Sequence, residues 1–297
     1  RPPRPPRPLG PPKLPKPMKR VGARPTNYLG SNRMTQSIFR SGILEGQTAI
    51  VTGGGSGIGR GIAKRLAEHK ANVALFGRTM EKLESVAGEI KAAGGNAMCI
   101  ALDVRDYPAV EKATNDVAAA FGGLHIVINS AAGNFLAPAA QLSANGFRAV
   151  IDIDLLGTFN TCRAAHQLLR KPGASIISIS ANHGSQPYAL QAHVCAAKAG
   201  VDMLNRVLAL EWGREGVRVN CIAPGPVDGT EGMRRLAPSP EIRTAIEQAV
   251  PLRRFAEISE IAEAALFLCS PAAHYITGVV LPVDGGSALI GGRFLGQ

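Results

Sequence analysis

Thr52-Gly53-Gly54-Gly55-Ser56-Gly57-Ile58-Gly59 carries the first chemistry legible in this chain. The apolar run 48–51 before it reads as a buried strand. Ile62, Ala63, Leu66 and Ala67 after it recur at helical spacing. Strand, glycine turn and helix together open a nucleotide-binding βαβ unit. The glycines give a tight turn, close approach to a pyrophosphate and close helix–strand contact. N–H groups at the helix start favour the phosphate charge. Gly53, Ser56, Gly57, Ile58 and Gly59 are therefore candidate cofactor contacts. A glycine-rich turn alone also fits an ordinary loop.

Residues further along narrow the ligand. The second apolar run ends Phe76-Gly77-Arg78. An acid there would bind both ribose hydroxyls, whereas Arg78 suits a 2′-phosphate, so NADPH is the expected cofactor. Asp103 and Val104 follow the third run, where a carboxylate can accept from an adenine amino group. Asn129 to Gly133, with Ala131 between, follow the fourth, and their small side chains let backbone lie against a ribose. Pro224, Gly225 and Val227 follow the sixth, on the same rim. Lys198 sits in the Ala-rich stretch His193-Val194-Cys195-Ala196-Ala197-Lys198. Burying an ammonium there without a partner is costly, which marks it as functional.

These residues need a scaffold that brings strand ends together. Strand-like runs at 48–51, 72–76, 97–102, 126–129, 175–179, 218–222 and 278–282 alternate with helical stretches. The helices are expected at 60–70, 80–93, 108–121, 146–169, 193–212 and 259–268. Alternating β and α implies an α/β fold, a doubly wound Rossmann-type parallel sheet covered on both faces, in a single domain over residues 41–297. Ligands of such sheets bind outside the carboxyl ends of the strands. The stretch 227–250 after Pro224-Gly225-Pro226 is accordingly a candidate substrate lid.

The 297 residues carry a net charge of +11, which by itself would suggest a nucleic-acid partner. Residues 1–40, however, hold ten Lys/Arg and no Asp/Glu; the remainder has 23 basic and 22 acidic residues. The excess charge belongs to a Pro/Arg-rich extension, and no nucleic acid is expected for the domain. Ten of the 21 prolines lie in residues 1–40, so that segment is expected to be disordered or polyproline-like. Its prolines forbid the amphipathic helix of a transit peptide, and Met34 would serve as a natural start. No apolar run suffices for a membrane span. Five scattered cysteines without a CxxC pair argue against a disulfide framework or a metal site.

TGGGSGIG, NSAAG, the Lys198 helix, Pro224-Gly225-Pro226 and Val283-Asp284-Gly285-Gly286 together resemble the short-chain dehydrogenase/reductase family over about residues 44–287. The resemblance implies a seven-stranded sheet and, commonly, a homotetramer. It also implies a catalytic Ser, Tyr, Lys and Asn. Lys198 is present, but the Tyr position holds Val194, the Ser position Ala181 and the Asn position Asp154. No hydroxyl remains at those places to protonate an alkoxide. Either the fold is catalytically silent or its reduction forms no alkoxide.

Asn134-Phe135, Asp154, Gln191-Ala192-His193 and Gly229-Thr230-Glu231-Gly232 are similar to the 2,4-dienoyl-CoA reductase branch of peroxisomal type. That branch implies an acyl-CoA thioester partner. It also implies Asp154 and Lys198 as catalytic residues, Lys198 holding the nicotinamide ribose, and Asn134, Phe135, His193 and Thr230 near the substrate. Asp154 would deliver a proton through a water, since Lys198 favours its ionised form. Tyr188 and His183, and Arg234 and Arg235 towards CoA phosphates, are further candidates. The compartment implied is peroxisomal or mitochondrial in a eukaryote and cytoplasmic in a bacterium; the terminal Phe-Leu-Gly-Gln is not a peroxisomal signal. Another carbonyl or alcohol oxidoreductase, or a non-catalytic NADP-binding scaffold, stays open.

Overall fold

The computed structural model describes residues 37–290. The expectations for residues 1–36 and for the last seven residues lie outside that span. Ser37 and Phe39, assigned by sequence to the extension, belong to the domain. Ser37 Oγ donates to Glu263 Oε2 at 3.0 Å, and Phe39 packs on the core.

Seven strands form one fully parallel sheet: β1 (Thr48–Thr52), β2 (Asn72–Gly77), β3 (Asn96–Ala101), β4 (Ile126–Asn129), β5 (Ser175–Ile179), β6 (Arg218–Pro224) and β7 (Val280–Val283). Their order is β3-β2-β1-β4-β5-β6-β7. β1 and β4 are buried along their whole length, which is why they read as unbroken apolar runs. The direction of winding reverses between β1 and β4, where Thr52 pairs with Asn129, and the crevice opens there.

Helices cover both faces. On one side α1 (Gly57–Glu68), α2 (Met80–Ala92) and α9 (Ile258–Cys269) bury Ile62, Leu66, Leu83, Ile90, Ile261 and Leu266 against the sheet. On the other α3 (Tyr107–Phe121), α5 (Gly157–His166) and α6 (Ala192–Trp212) contribute Val110, Val117, Cys162, Ala165 and Leu208. α3 begins where Asp106 accepts the Ala109 N–H and Pro108 occupies the first turn; it stops at Gly122, with φ +79°.

Two stretches differ from the sequence reading. The helix expected over 146–169 is interrupted: α4 (Ala144–Ile151) passes into a π-helical turn, Asp152–Leu156, before α5. The wider turn rotates Asp154 towards the crevice. Thr158 Oγ1 seals it by donating to the Asp154 carbonyl at 2.6 Å. The lid stretch folds into α7 (Glu231–Leu236) and α8 (Pro240–Ala249).

Candidate active site

The crevice holds a cleft of about 420 Å³. Gly53, Ser56, Gly57, Ile58, Gly59, Arg78, Asp103, Val104, Ala131, Gly133, Asn134, Asp154, Lys198 and Thr230 all line it. Backbone conformation explains two of the glycines. Gly53 has φ +66°, and a Cβ there would lie 2.7 Å from the Ser130 carbonyl oxygen. A Cβ on Gly59 would lie 2.3 Å from the Gly53 carbonyl oxygen. The Ser56 side chain makes no cap hydrogen bond, so it leaves the N–H groups of the first turn of α1 unclaimed. This cradle fits a dinucleotide pyrophosphate.

At the end of β2, Arg78 is joined on the cleft wall by Lys82. The sequence reading missed Lys82, although it lies one helical turn beyond Arg78. Asp103 is gripped by Arg105, with Nη2 2.6 Å from Oδ2, which holds its carboxyl below the usual range. It is therefore an ionised acceptor on the cleft wall.

At the reactive end, Asp154 and Lys198 are 1% and 7% exposed. Lys198 Nζ lies 3.0 Å from Asp154 Oδ2 and donates to the Ile179 carbonyl at 2.9 Å. Gly133 N donates to Asp154 Oδ1 at 2.7 Å. Oδ1 is thus hydrogen-bonded, whereas Oδ2 has the ion-pair contact but no hydrogen bond of its own. A buried pair of this kind survives desolvation only through such close contacts. Val194, at the missing Tyr position, packs with Val150 and Ala197. Ala181 lines the cleft without a hydroxyl.

A second cavity of about 300 Å³ shares a wall with the first and runs beneath the lid. Pro224, Gly225 and Val227 line it, with Met233 and Leu236 of α7 and Ile246 of α8. Those first three residues therefore face this mostly apolar chamber rather than the dinucleotide cleft. Tyr188 also lines it, stacked on His183 with ring centroids 4.0 Å apart. Burial pushes the Tyr188 hydroxyl up and the His183 imidazole down to about 4, so the histidine stays neutral at physiological pH.

Three predicted contacts, Asn129, Phe135 and His193, line neither cavity. Asn129 turns into the core, its amide nitrogen donating to Cys162 Sγ and Ser178 Oγ. His193 is fully buried and lines neither cavity; its ring packs 4.3 Å from Phe135. Phe135 itself lies on the loop after β4 and is partly exposed. Thr230 spends its hydroxyl on the lid, donating to the Val227 carbonyl and accepting from Met233 N; its methyl lies over Gly57. Arg235 pairs with Glu231 and donates to the Asn134 carbonyl at 3.2 Å. Arg234 also pairs with Glu231.

Among the described residues, no three His, Cys, Asp or Glu side chains converge to hold a metal, and no helix is long and apolar enough to cross a membrane.

Residues 53–288 match the family described as Enoyl-(Acyl carrier protein) reductase. The chain is 43% identical over 254 residues to a peroxisomal 2,4-dienoyl-CoA reductase, (3E)-enoyl-CoA-producing, of Danio rerio, covering 85% of each. It is 36% identical to 3beta-hydroxysteroid dehydrogenase 1 of Eggerthella lenta, over 86% of this chain and 98% of that one. A citronellol catabolism dehydrogenase of Pseudomonas aeruginosa superposes with TM-score 0.75 at 39% identity, over 85% of this chain and 99% of that structure. With the glycine cradle and the parallel sheet already in place, these matches establish that the chain belongs to the short-chain dehydrogenase/reductase family of nicotinamide-dependent oxidoreductases.

Proposed function

We propose that the protein reduces 2,4-dienoyl-CoA to 3-enoyl-CoA with NADPH, in the breakdown of unsaturated fatty acids. One observation carries this reading. A buried Asp154–Lys198 pair, 3.0 Å apart, stands on a wall where Ala181 and Val194 offer no hydroxyl. Such a site is poorly equipped to protonate an alkoxide but well equipped to orient a water. The reductase name of the Danio rerio relative supports it, as does the apolar chamber beneath the lid. Arg78 and Lys82 support NADPH over NADH.

Bound nicotinamide supplies a hydride, which C5 of the conjugated thioester receives. The remaining work falls to side chains. Lys198 donates to the Ile179 carbonyl and sits against Asp154, and keeps a donor available to a ribose hydroxyl. Asn134, on the wall shared by the two cavities, is placed to meet the thioester oxygen as charge develops there. Asp154 orients the water that presents a proton to C2. Met233, Leu236 and Ile246 receive the acyl tail and exclude bulk water. Peroxisomal residence and a homotetramer belong to the same reading.

The test is oxidation of NADPH by the full chain with a medium-chain dienoyl-CoA, run beside NADH. Turnover with NADPH well above that with NADH is expected. Folded protein that binds NADPH but leaves the thioester intact would overturn the reading. Carbonyl reduction that disappears in Tyr188→Phe would favour the competing carbonyl reductase, since Tyr188 is the phenol on the apolar chamber.

A further inference from the structure

The π-helical turn that carries Asp154 runs on into α5, and α5 carries a buried amide, Asn160, that the proposed reaction has not used. Asn160 is 4% exposed. A buried amide needs hydrogen-bond partners, and those of Asn160 lie on another element. Its Nδ2 donates to the Val104 carbonyl at 2.9 Å and to the Arg105 carbonyl at 3.4 Å, both in the turn after β3. α5 comes this close because its first residue is glycine: a Cβ on Gly157 would lie 2.5 Å from Val104 Cγ2.

That turn depends on the amide. The Asp103 carbonyl accepts the Asp106 N–H at 3.0 Å, which closes a turn with Val104 and Arg105 at its centre. The two central carbonyls gain nothing from this bond, and Asn160 takes both. Arg105 in turn fixes the Asp103 carboxyl. Its backbone N–H donates to Oδ1 at 3.0 Å, Nε to Oδ1 at 2.9 Å and Nη2 to Oδ2 at 2.6 Å. A two-pronged grip of this kind sets the plane of a carboxylate. Arg105 cannot set its direction alone, because it sits on the same turn and moves with it. Asp103 and Val104 line the cofactor cleft, and Asn160 does not. Support therefore runs from Asn160, through the backbone of residues 104 and 105, to the Asp103 carboxylate.

We propose that Asn160 is a positioning residue for purine recognition: by anchoring the turn of residues 103–105 it aims the Asp103 carboxylate at the adenine amino group of the dinucleotide. This rests on the NADPH of the proposed reaction and is independent of the dienoyl thioester. A carboxylate only accepts hydrogen bonds, so it favours a purine that presents an N–H there and rejects one that presents a carbonyl oxygen. Discrimination of that kind depends on where the carboxylate points. A turn without its anchor loses that direction while Asp103 keeps its charge. One continuous segment thus places Asp154 at the reactive end and, through Asn160, Asp103 at the purine end.

The experiment measures, by calorimetry on the full chain, the affinity for NADPH and for its hypoxanthine analogue, in which a carbonyl oxygen replaces the adenine amino group. Wild type should prefer NADPH by at least about tenfold. Asn160→Leu, close in shape but without donors, should weaken NADPH about tenfold and leave the analogue within about twofold, so the preference collapses. Asn160→Ala serves if the leucine variant does not fold. Arg105→Ala, a change at an exposed side chain, should lower the same preference from the carboxylate side. A merely structural role would weaken both dinucleotides alike, and that result overturns the proposal. So does a wild type that binds the two equally, or an Asn160 variant that keeps the full preference. If NADH binds as tightly as NADPH, the NADPH reading falls, and NADH beside its own hypoxanthine analogue decides the role of Asn160 by the same ratio. A thioester that is not turned over sinks the dienoyl-CoA reading alone, since these affinities need no substrate.

Discussion

Asp154 does two jobs with two oxygens. Oδ1 holds the loop after β4 through Gly133 N, and Oδ2 holds Lys198. Substitutions separate these jobs. Asp154→Asn keeps an acceptor for Gly133 but turns an amide towards the ammonium. Asp154→Ala removes both contacts and leaves Lys198 as an unpaired buried charge. We expect kcat to drop roughly a hundredfold in either variant. Only the alanine variant should also raise KM for the thioester, because Asn134 loses its anchored neighbour. Steady-state kinetics with NADPH saturating will show it; equal KM values in the two variants would remove the anchoring role. His193 is instructive at the same scale. The branch resemblance implied a place near the substrate, yet its ring is fully buried and packs on Phe135.

Among the elements, the glycine turn and the π-helical turn are the two that cannot be replaced by generic structure. The turn works by absence of side chains. In Gly59→Ala the new methyl would sit 2.3 Å from a backbone oxygen, which cannot move without displacing the Gly53 turn. We expect this variant to lose at least about tenfold in NADPH affinity by calorimetry, with the far-UV spectrum retained. Affinity equal to wild type would show that the turn has slack the geometry does not suggest. The π turn works by adding a residue. An uninterrupted helix over 146–169 would carry Asp154 away from Lys198, and sequence periodicity does not reveal the interruption. Gly157 leaves a local trace of it, since a Cβ there would meet Val104 at 2.5 Å.

For the whole molecule, one surface is conspicuously apolar. Met203, Val207 and Leu210 lie at i, i+4 and i+7 on α6 and are 56%, 40% and 80% exposed. We propose that stripe as the contact of the homotetramer. Leu210→Glu combined with Val207→Asp should shift sedimentation towards smaller species while leaving the monomer fold intact by near-UV circular dichroism. A wild-type chain that sediments as a monomer would remove assembly from the proposal. The two cavities share a wall that includes Asn134, Ser180 and Ala181.

The alternation of apolar runs and helical stretches was enough to specify a parallel doubly wound sheet, because strands buried on both faces leave an unmistakable pattern. Local spacing likewise specified the glycine cradle and Arg78, whose roles depend on neighbours within a turn or two. The lost hydroxyls at Ala181 and Val194 were visible for the same reason. Tertiary structure alone decided which distant side chains meet. It paired Asp154 with Lys198, turned Asn129 and His193 into the core, and moved Pro224, Gly225 and Val227 to the apolar chamber. Those outcomes depend on the π turn, the register of β4 against β1 and the packing of α6 on the sheet, and none of these is encoded in short-range periodicity.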